Sequence, residues 1–257
     1  VAALVLVVAT LAAGQAPVYN APRTADGRPD LNGVWQALNE ANWDIEPHAA
    51  APGPLAQTGA IGSTPPGTGV VEGGAIPYQP WAAEKKQENY RNRLSLDPEA
   101  KCYLPGVPRA TYIGQPFQIV QSGKAILFAY QFAGAVRTIF MEDPGPPPAD
   151  FWMGWSVGRW DGDTLVVDVT GLNGQTWFDR AGNFHSEALH VVERYTRIGP
   201  DHLLYEATIE DPKVFTRPWR ISMPLYRRVE QDARIMEFKC VEFAEELIYG
   251  HLRKQSE

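Results

Sequence analysis

Residues able to trade protons crowd into one stretch of this chain: Trp177 to Glu193 contains Asp179, His185, Glu187, His190 and Glu193. Histidine titrates near neutrality, and burial can push a carboxyl up toward the same range. Such couples serve general acid–base chemistry. If the chain from Leu189 is a strand, alternation puts Leu189, Val191, Glu193 and Tyr195 on one face and His190, Val192, Arg194 and Thr196 on the other. Glu193 then falls among apolar neighbours, which leaves two readings. In one, Glu193 is an acid of raised pKa working with His185 and Asp179 in a secreted hydrolase or lyase. In the other, preferred here, it is half of a buried Glu–Arg pair that fixes strand register, with Arg217 or Arg220 as partner.

His185, Glu187 and His190 spell H-x-E-x-x-H. A helical zinc pair needs histidines four apart on one helix face; these are five apart, and the second opens a strand. No metal and no other cofactor is expected. There is no G-x-S-x-G nucleophile turn. Gly67-Thr68-Gly69 precedes no helix and cradles no phosphate. Asp161-Gly162-Asp163 lacks the ligand series of a calcium loop and reads as a hairpin turn. Aromatic side chains are dense at Phe151, Trp152, Trp155 and Trp160, with Trp177, Phe178 and Phe184 following. They suit a ligand cup built on Trp152, Trp155 and Trp177 with Arg180 and His190, a belt at a membrane interface, or plain core packing.

The elements that must position these residues are mostly strands. Leu31–Gln36 reads as a first strand, and Pro80–Arg93 as a short helix with proline in its first turn. Residues 97–116 are broken by Pro and Gly into irregular chain. Hairpins are expected at Ser122-Gly123, at Asp161-Gly162 and at Gly199-Pro200-Asp201, with strands over 117–121, 125–132, 136–141, 156–160, 164–170, 189–198 and 202–210. A last hairpin is expected to pair 217–227 with 234–243, ahead of a short helix from Ala244. Turns every 10–12 residues argue for an antiparallel barrel or sandwich rather than βαβ units.

Residues 1–16 are expected to be a signal peptide or membrane anchor: Val1–Ala13 carries no charge, small residues follow, and the chain is expected to begin inside that segment. Residues 17–30 form a tether and 31–257 a single β domain, interrupted by a Pro/Gly-rich insertion at 47–77 that lies over the domain or is partly disordered. With 44% hydrophobic residues the chain can bury a sizeable core. A net charge of −7 lacks the basic footprint of nucleic-acid binding, so no such partner is expected. In an oxidising compartment Cys102 and Cys240 are expected to pair; closing that loop is worth about 4–5 kcal/mol in the chain-entropy account.

Gly33-Val34-Trp35 is similar to the Gly-x-Trp signature on the first strand of lipocalin-type (calycin) barrels, and the run of hairpins to the C-terminus resembles them too. That resemblance implies that Trp35 closes the bottom of a barrel under a late arginine, with Arg217, Arg220, Arg227 and Arg228 as candidates. The Pro-rich insertion departs from the pattern. The stretches DPEAKCYLPGVPR, VGRWDGDTLVVDVTG, HSEALHVVERYTR and IEDPKVFTRPW resemble a widespread family of exported bacterial proteins that carries no established activity. This implies a fold and a location and supplies no mechanism. The expectation is a periplasmic, non-catalytic β domain. It would act as an accessory subunit of a membrane complex, an electron-transfer or photosynthetic one for instance, or would bind a small apolar ligand.

Overall fold

The alternation read at Leu189–Tyr195 runs around an entire sheet. The computed structural model describes residues 19–53, 62–249 and 251. In it β1 (Gly33–Ala37), β2 (Phe117–Gln121), β3 (Ala125–Tyr130), β4 (Val136–Phe140), β5 (Trp155–Asp161), β6 (Thr164–Thr170), β7 (His190–Gly199), β8 (His202–Glu210) and β9 (Trp219–Arg227) close into a nine-stranded barrel in chain order. This is a mostly β architecture consistent with a lipocalin-like barrel. The last strand pairs antiparallel with the first, Gln36 opposite Tyr226. An odd number of strands cannot alternate direction all the way around. The single parallel pair falls between β4 and β5, Ile139 opposite Ser156, and residues 141–154 make the return that a parallel connection requires.

Inward positions recur every second residue, as in Val191, Glu193, Tyr195 and Arg197 on β7 and Leu203, Tyr205, Ala207 and Ile209 on β8. The interior is filled rather than hollow. Phe117, Phe128, Tyr195 and Tyr205 have no exposed surface and follow one another with ring centroids 5.7, 5.3 and 5.0 Å apart.

The two ends of the barrel differ. One carries the tight turns of the β2–β3, β5–β6 and β7–β8 hairpins. Here Trp35 is fully buried, donates from its indole N–H to the Leu31 carbonyl at 2.9 Å, and lies under two guanidinium groups, Arg197 at 5.7 Å and Arg227 at 6.0 Å from the ring centroid. Arg227 is among the arginines expected; Arg197 is the addition. Gly33 has φ +142°, and a Cβ there would meet Arg227 Nε at 3.1 Å, so this strand start demands glycine. The other end receives the long connections, including α1 (Pro80–Arg91), α2 (Arg93–Leu96) and α3 (Arg109–Tyr112). The short helix α3, inside the stretch read as irregular, is buried at all four residues, and the Tyr112 hydroxyl donates to the Phe178 carbonyl at 3.0 Å.

The insertion lies over the domain. Glu72 N–H donates to the Arg220 carbonyl at 2.9 Å and Ser222 N–H to the Val70 carbonyl at 3.0 Å, while Val71 and Ile76 are buried. Its Leu55 and Ile61, the Val1–Ala13 segment and the tail beyond His251 lie outside the described residues. Among the described residues no helix is long and apolar enough to cross a membrane.

The strand expected over 234–243 does not form. The barrel closes by pairing β9 with β1, which leaves no free edge for a further strand. Residues 228–243 instead run as a strap across the outside, ahead of α4 (Ala244–Tyr249). The expected disulfide ties it down: Cys102 and Cys240 are bonded with Cα atoms 5.7 Å apart. Other anchors are few, among them Met236 N–H to Gln131 Oε1 at 2.9 Å and Phe243 N–H to the Ala100 carbonyl at 2.8 Å.

Candidate functional site

The residues with the right types for acid–base work are separated and individually satisfied. Glu193 has no exposed surface. Its Oε1 accepts from the Tyr195 hydroxyl at 2.9 Å and the Tyr205 hydroxyl at 2.8 Å, and its Oε2 accepts from Arg137. Arg137, on β4, also donates to Ser156 Oγ at 2.7 Å. The Glu–Arg pair therefore exists, but its arginine is Arg137, not Arg217 or Arg220. Arg217 and Arg220 are exposed, Arg220 pairing on the surface with Glu206 at 2.6 Å.

His185 is buried in the loop between β6 and β7. Its Nδ1 lies 2.8 Å from the Ser186 carbonyl oxygen, which can only accept, so Nδ1 carries the proton and Nε2 accepts from the Thr176 hydroxyl at 2.7 Å. Burial lowers its pKa and favours this neutral form. Asp179 is also fully buried. Four N–H groups end on it: those of Ala181, Asn183 and Ile45 from the backbone and the Asn183 side chain, the last at 2.6 Å. Burial pushes this carboxyl up to about 7, the Asp44 carboxylate adds to the effect, and the hydrogen bonds pull the other way. The Asn183 amide bridges the two acids, reaching Asp44 at 3.2 Å. Glu193, His185 and Asp179 share no hydrogen-bond partner, and each holds its own piece of structure.

At the loop end an ion network is built mostly from Asp97-Pro98-Glu99 and Arg109. Buried Arg109 grips Asp97 through two nitrogens at 2.8 and 3.2 Å, Glu99 at 2.6 Å and the Asn42 carboxamide at 2.9 Å. Arg180 binds both oxygens of Glu99, at 2.9 and 2.8 Å, and lays its guanidinium 4.5 Å from the Trp43 ring centroid. Burial opposes ionisation of Glu99, yet Arg109 and Arg180 together hold its carboxyl down at about 2. A carboxyl lowered in the folded state stabilises above its unfolded pKa of 4.5, and that stability is lost as pH falls toward 2. Acid titration of wild type against Glu99→Gln should therefore show a difference that shrinks below pH 4.5, by up to about 1.4 kcal/mol per pH unit. A pH-independent difference would show that the network does not act through the Glu99 charge.

Beside this network lies a half-open groove of about 400 Å³. Trp43, Arg180, Phe132 and α2 form part of it, and the strap contributes Phe238, Cys240 and Phe243. Phe238 packs on Phe132 with ring centroids 5.1 Å apart. Of the side chains singled out in the sequence for ligand binding, Arg180 alone lines this groove. Trp155 stacks between Phe140 and Phe151 at 4.7 and 5.8 Å, and Trp152 meets Tyr103 at 4.8 Å. Half-buried Trp177 faces Phe184 across an isolated bridge. His190 sits on the outer face between Asp168 at 3.0 Å and Glu210 at 3.2 Å. Among the described residues no group of three His, Cys, Asp or Glu side chains is arranged to hold a metal ion.

Sequence reasoning missed Trp43, Glu99, Arg109, Phe132 and Phe238. A signal for two of them was present: DPEAKCYLPGVPR spaces two acids, a cysteine and an arginine through a stretch without periodicity, a pattern that a surface loop does not need. Comparison with protein-family models and with curated proteins gives no match.

Proposed function

We propose that this protein is a non-catalytic, extracytoplasmic binding domain that holds a small, largely apolar molecule in the groove between the barrel's loop end and the disulfide-tied strap. The groove itself carries the reading: its volume of about 400 Å³ is in the range of small-molecule sites, and aromatic side chains from both the barrel connections and the strap face into it. The sealed state of Glu193, His185 and Asp179 supports binding over catalysis, because all three are buried and hydrogen-bonded to groups of the fold, out of reach of a substrate. The disulfide is compatible with an oxidising compartment, as is the resemblance to exported bacterial proteins.

A second reading, an accessory subunit of a membrane complex, is favoured by one observation. Val229, Met236, Val241, Leu247 and Ile248, on the strap and α4, are all more than half exposed.

Titration with the fluorescent probe N-phenyl-1-naphthylamine separates the two. Saturable binding is expected, weakened about tenfold by Phe132→Ala or Phe238→Ala, a change equivalent to about 1.4 kcal/mol. Cys240→Ser should weaken it at least as much while barrel circular dichroism is unchanged, because the strap supplies one wall of the groove. If the probe does not bind, and the intact protein is instead recovered with membrane-complex partners, the accessory-subunit reading replaces this one.

A further inference from the structure

We infer that the groove is built for an amphipathic organic anion: an apolar body in the aromatic trough and a single carboxylate or equivalent head group taken up by Arg93 and Lys239. The inference rests on the binding function proposed above and adds the ligand's chemistry.

The first observation is the local charge. The chain carries a net charge of −7, yet among the described residues the groove lining holds three cations, Arg93, Arg180 and Lys239, and two carboxylates, Asp97 and Glu99. Both carboxylates are already taken. Asp97 is held by Arg109 at 2.8 Å, and Glu99 is shared between Arg109 at 2.6 Å and Arg180 at 2.8 Å. Arg109 and Arg180 are thereby occupied, and among the described residues the local positive charge at the groove comes from Arg93 and Lys239.

The second observation is which cations remain available. Among the described residues no carboxylate lies within ion-pair distance of Arg93 or Lys239. Arg93, on α2, spends one Nη1 bond on the Tyr90 carbonyl at 2.9 Å and rests 4.3 Å from the Tyr90 ring centroid, which fixes the guanidinium while leaving its charge uncompensated. Lys239 comes from the strap and is exposed. Two separate walls thus each present one unpaired cation.

A neutral apolar ligand would leave both cations unused, and a cationic one would be repelled.

The test uses the full chain and three probes with the same apolar body, each displacing N-phenyl-1-naphthylamine at neutral pH and low ionic strength. Dodecanoate should displace it about tenfold more tightly than 1-dodecanol, and dodecyltrimethylammonium more weakly than either. Added salt should erode the advantage of dodecanoate and leave dodecanol unchanged. The double variant Arg93→Gln, Lys239→Ala should bring dodecanoate down to the level of dodecanol, with dodecanol still binding within about twofold of wild type, which shows the groove intact. Equal affinity for anion and alcohol, or an advantage that survives the double variant, overturns the inference while leaving the groove as a binding site. If neither the naphthylamine nor any of the three binds, the binding function falls with it.

Discussion

Replacing Arg137 by methionine should destabilise the protein by about 3–5 kcal/mol, the range seen when one member of a buried ion pair is removed. Glu193 would be left with no exposed surface and only the Tyr195 and Tyr205 hydroxyls to answer its charge. The cause is the Glu193 carboxylate left buried without its cation. The double variant Arg137→Met, Glu193→Leu should cost less than either single change, since an apolar pair of similar volume carries no desolvation penalty. Urea unfolding of the four proteins closes the cycle. A single-variant cost below about 1 kcal/mol, or strictly additive effects, would show that the pair does not organise the interior.

Trp35→Ala is expected to cost a similar amount, about 3–5 kcal/mol, because the indole is wholly buried and supports the closed end of the barrel. Two terms add. The ring's apolar surface is lost, and Arg197 and Arg227 lose the aromatic face they rest against. Trp35→Phe should recover most of the packing and none of the indole N–H bond to Leu31, worth about 1 kcal/mol. Thermal and urea unfolding measure both. If Trp35→Ala melts within a few degrees of wild type, the tight-turn end is held by something other than this residue.

The two residues illustrate how far the chain could be read in advance. Trp35 was legible through the resemblance of Gly33-Val34-Trp35 to the Gly-x-Trp signature, and the structure supplies the physical reason for its glycine, a φ of +142° at Gly33. Glu193 was legible by half. Period-two alternation puts it inside with Val191 and Tyr195, and a charge inside needs a partner. Which arginine answers it was not legible, because Arg137 lies 56 residues away on β4 and meets Glu193 only across the closed barrel. The strand assigned to 234–243 went wrong for the same reason. Alternating residues signal a strand only where an edge is free to pair, and closure of β9 on β1 removes that edge.

The sequence by itself therefore determined the mostly β class, the strands up to 227 with the hairpins between them, and the burial of Glu193, each from local alternation or turn chemistry. The burial of Trp35 came from the Gly-x-Trp resemblance, and the pairing of Cys102 with Cys240 from an even pair of cysteines in an expected oxidising compartment. Tertiary structure alone decided that the barrel is closed and filled, that His185, Asp179 and Glu193 never meet, and that the groove at the loop end exists at all. That groove joins Trp43, Arg180, Phe132 and Phe238, which come from four separate segments and carry no shared period. Phe238 reaches it on the strap, which the Cys102–Cys240 bond and a few hydrogen bonds hold against the loop end, and a pattern read along the chain holds no record of contacts made across it.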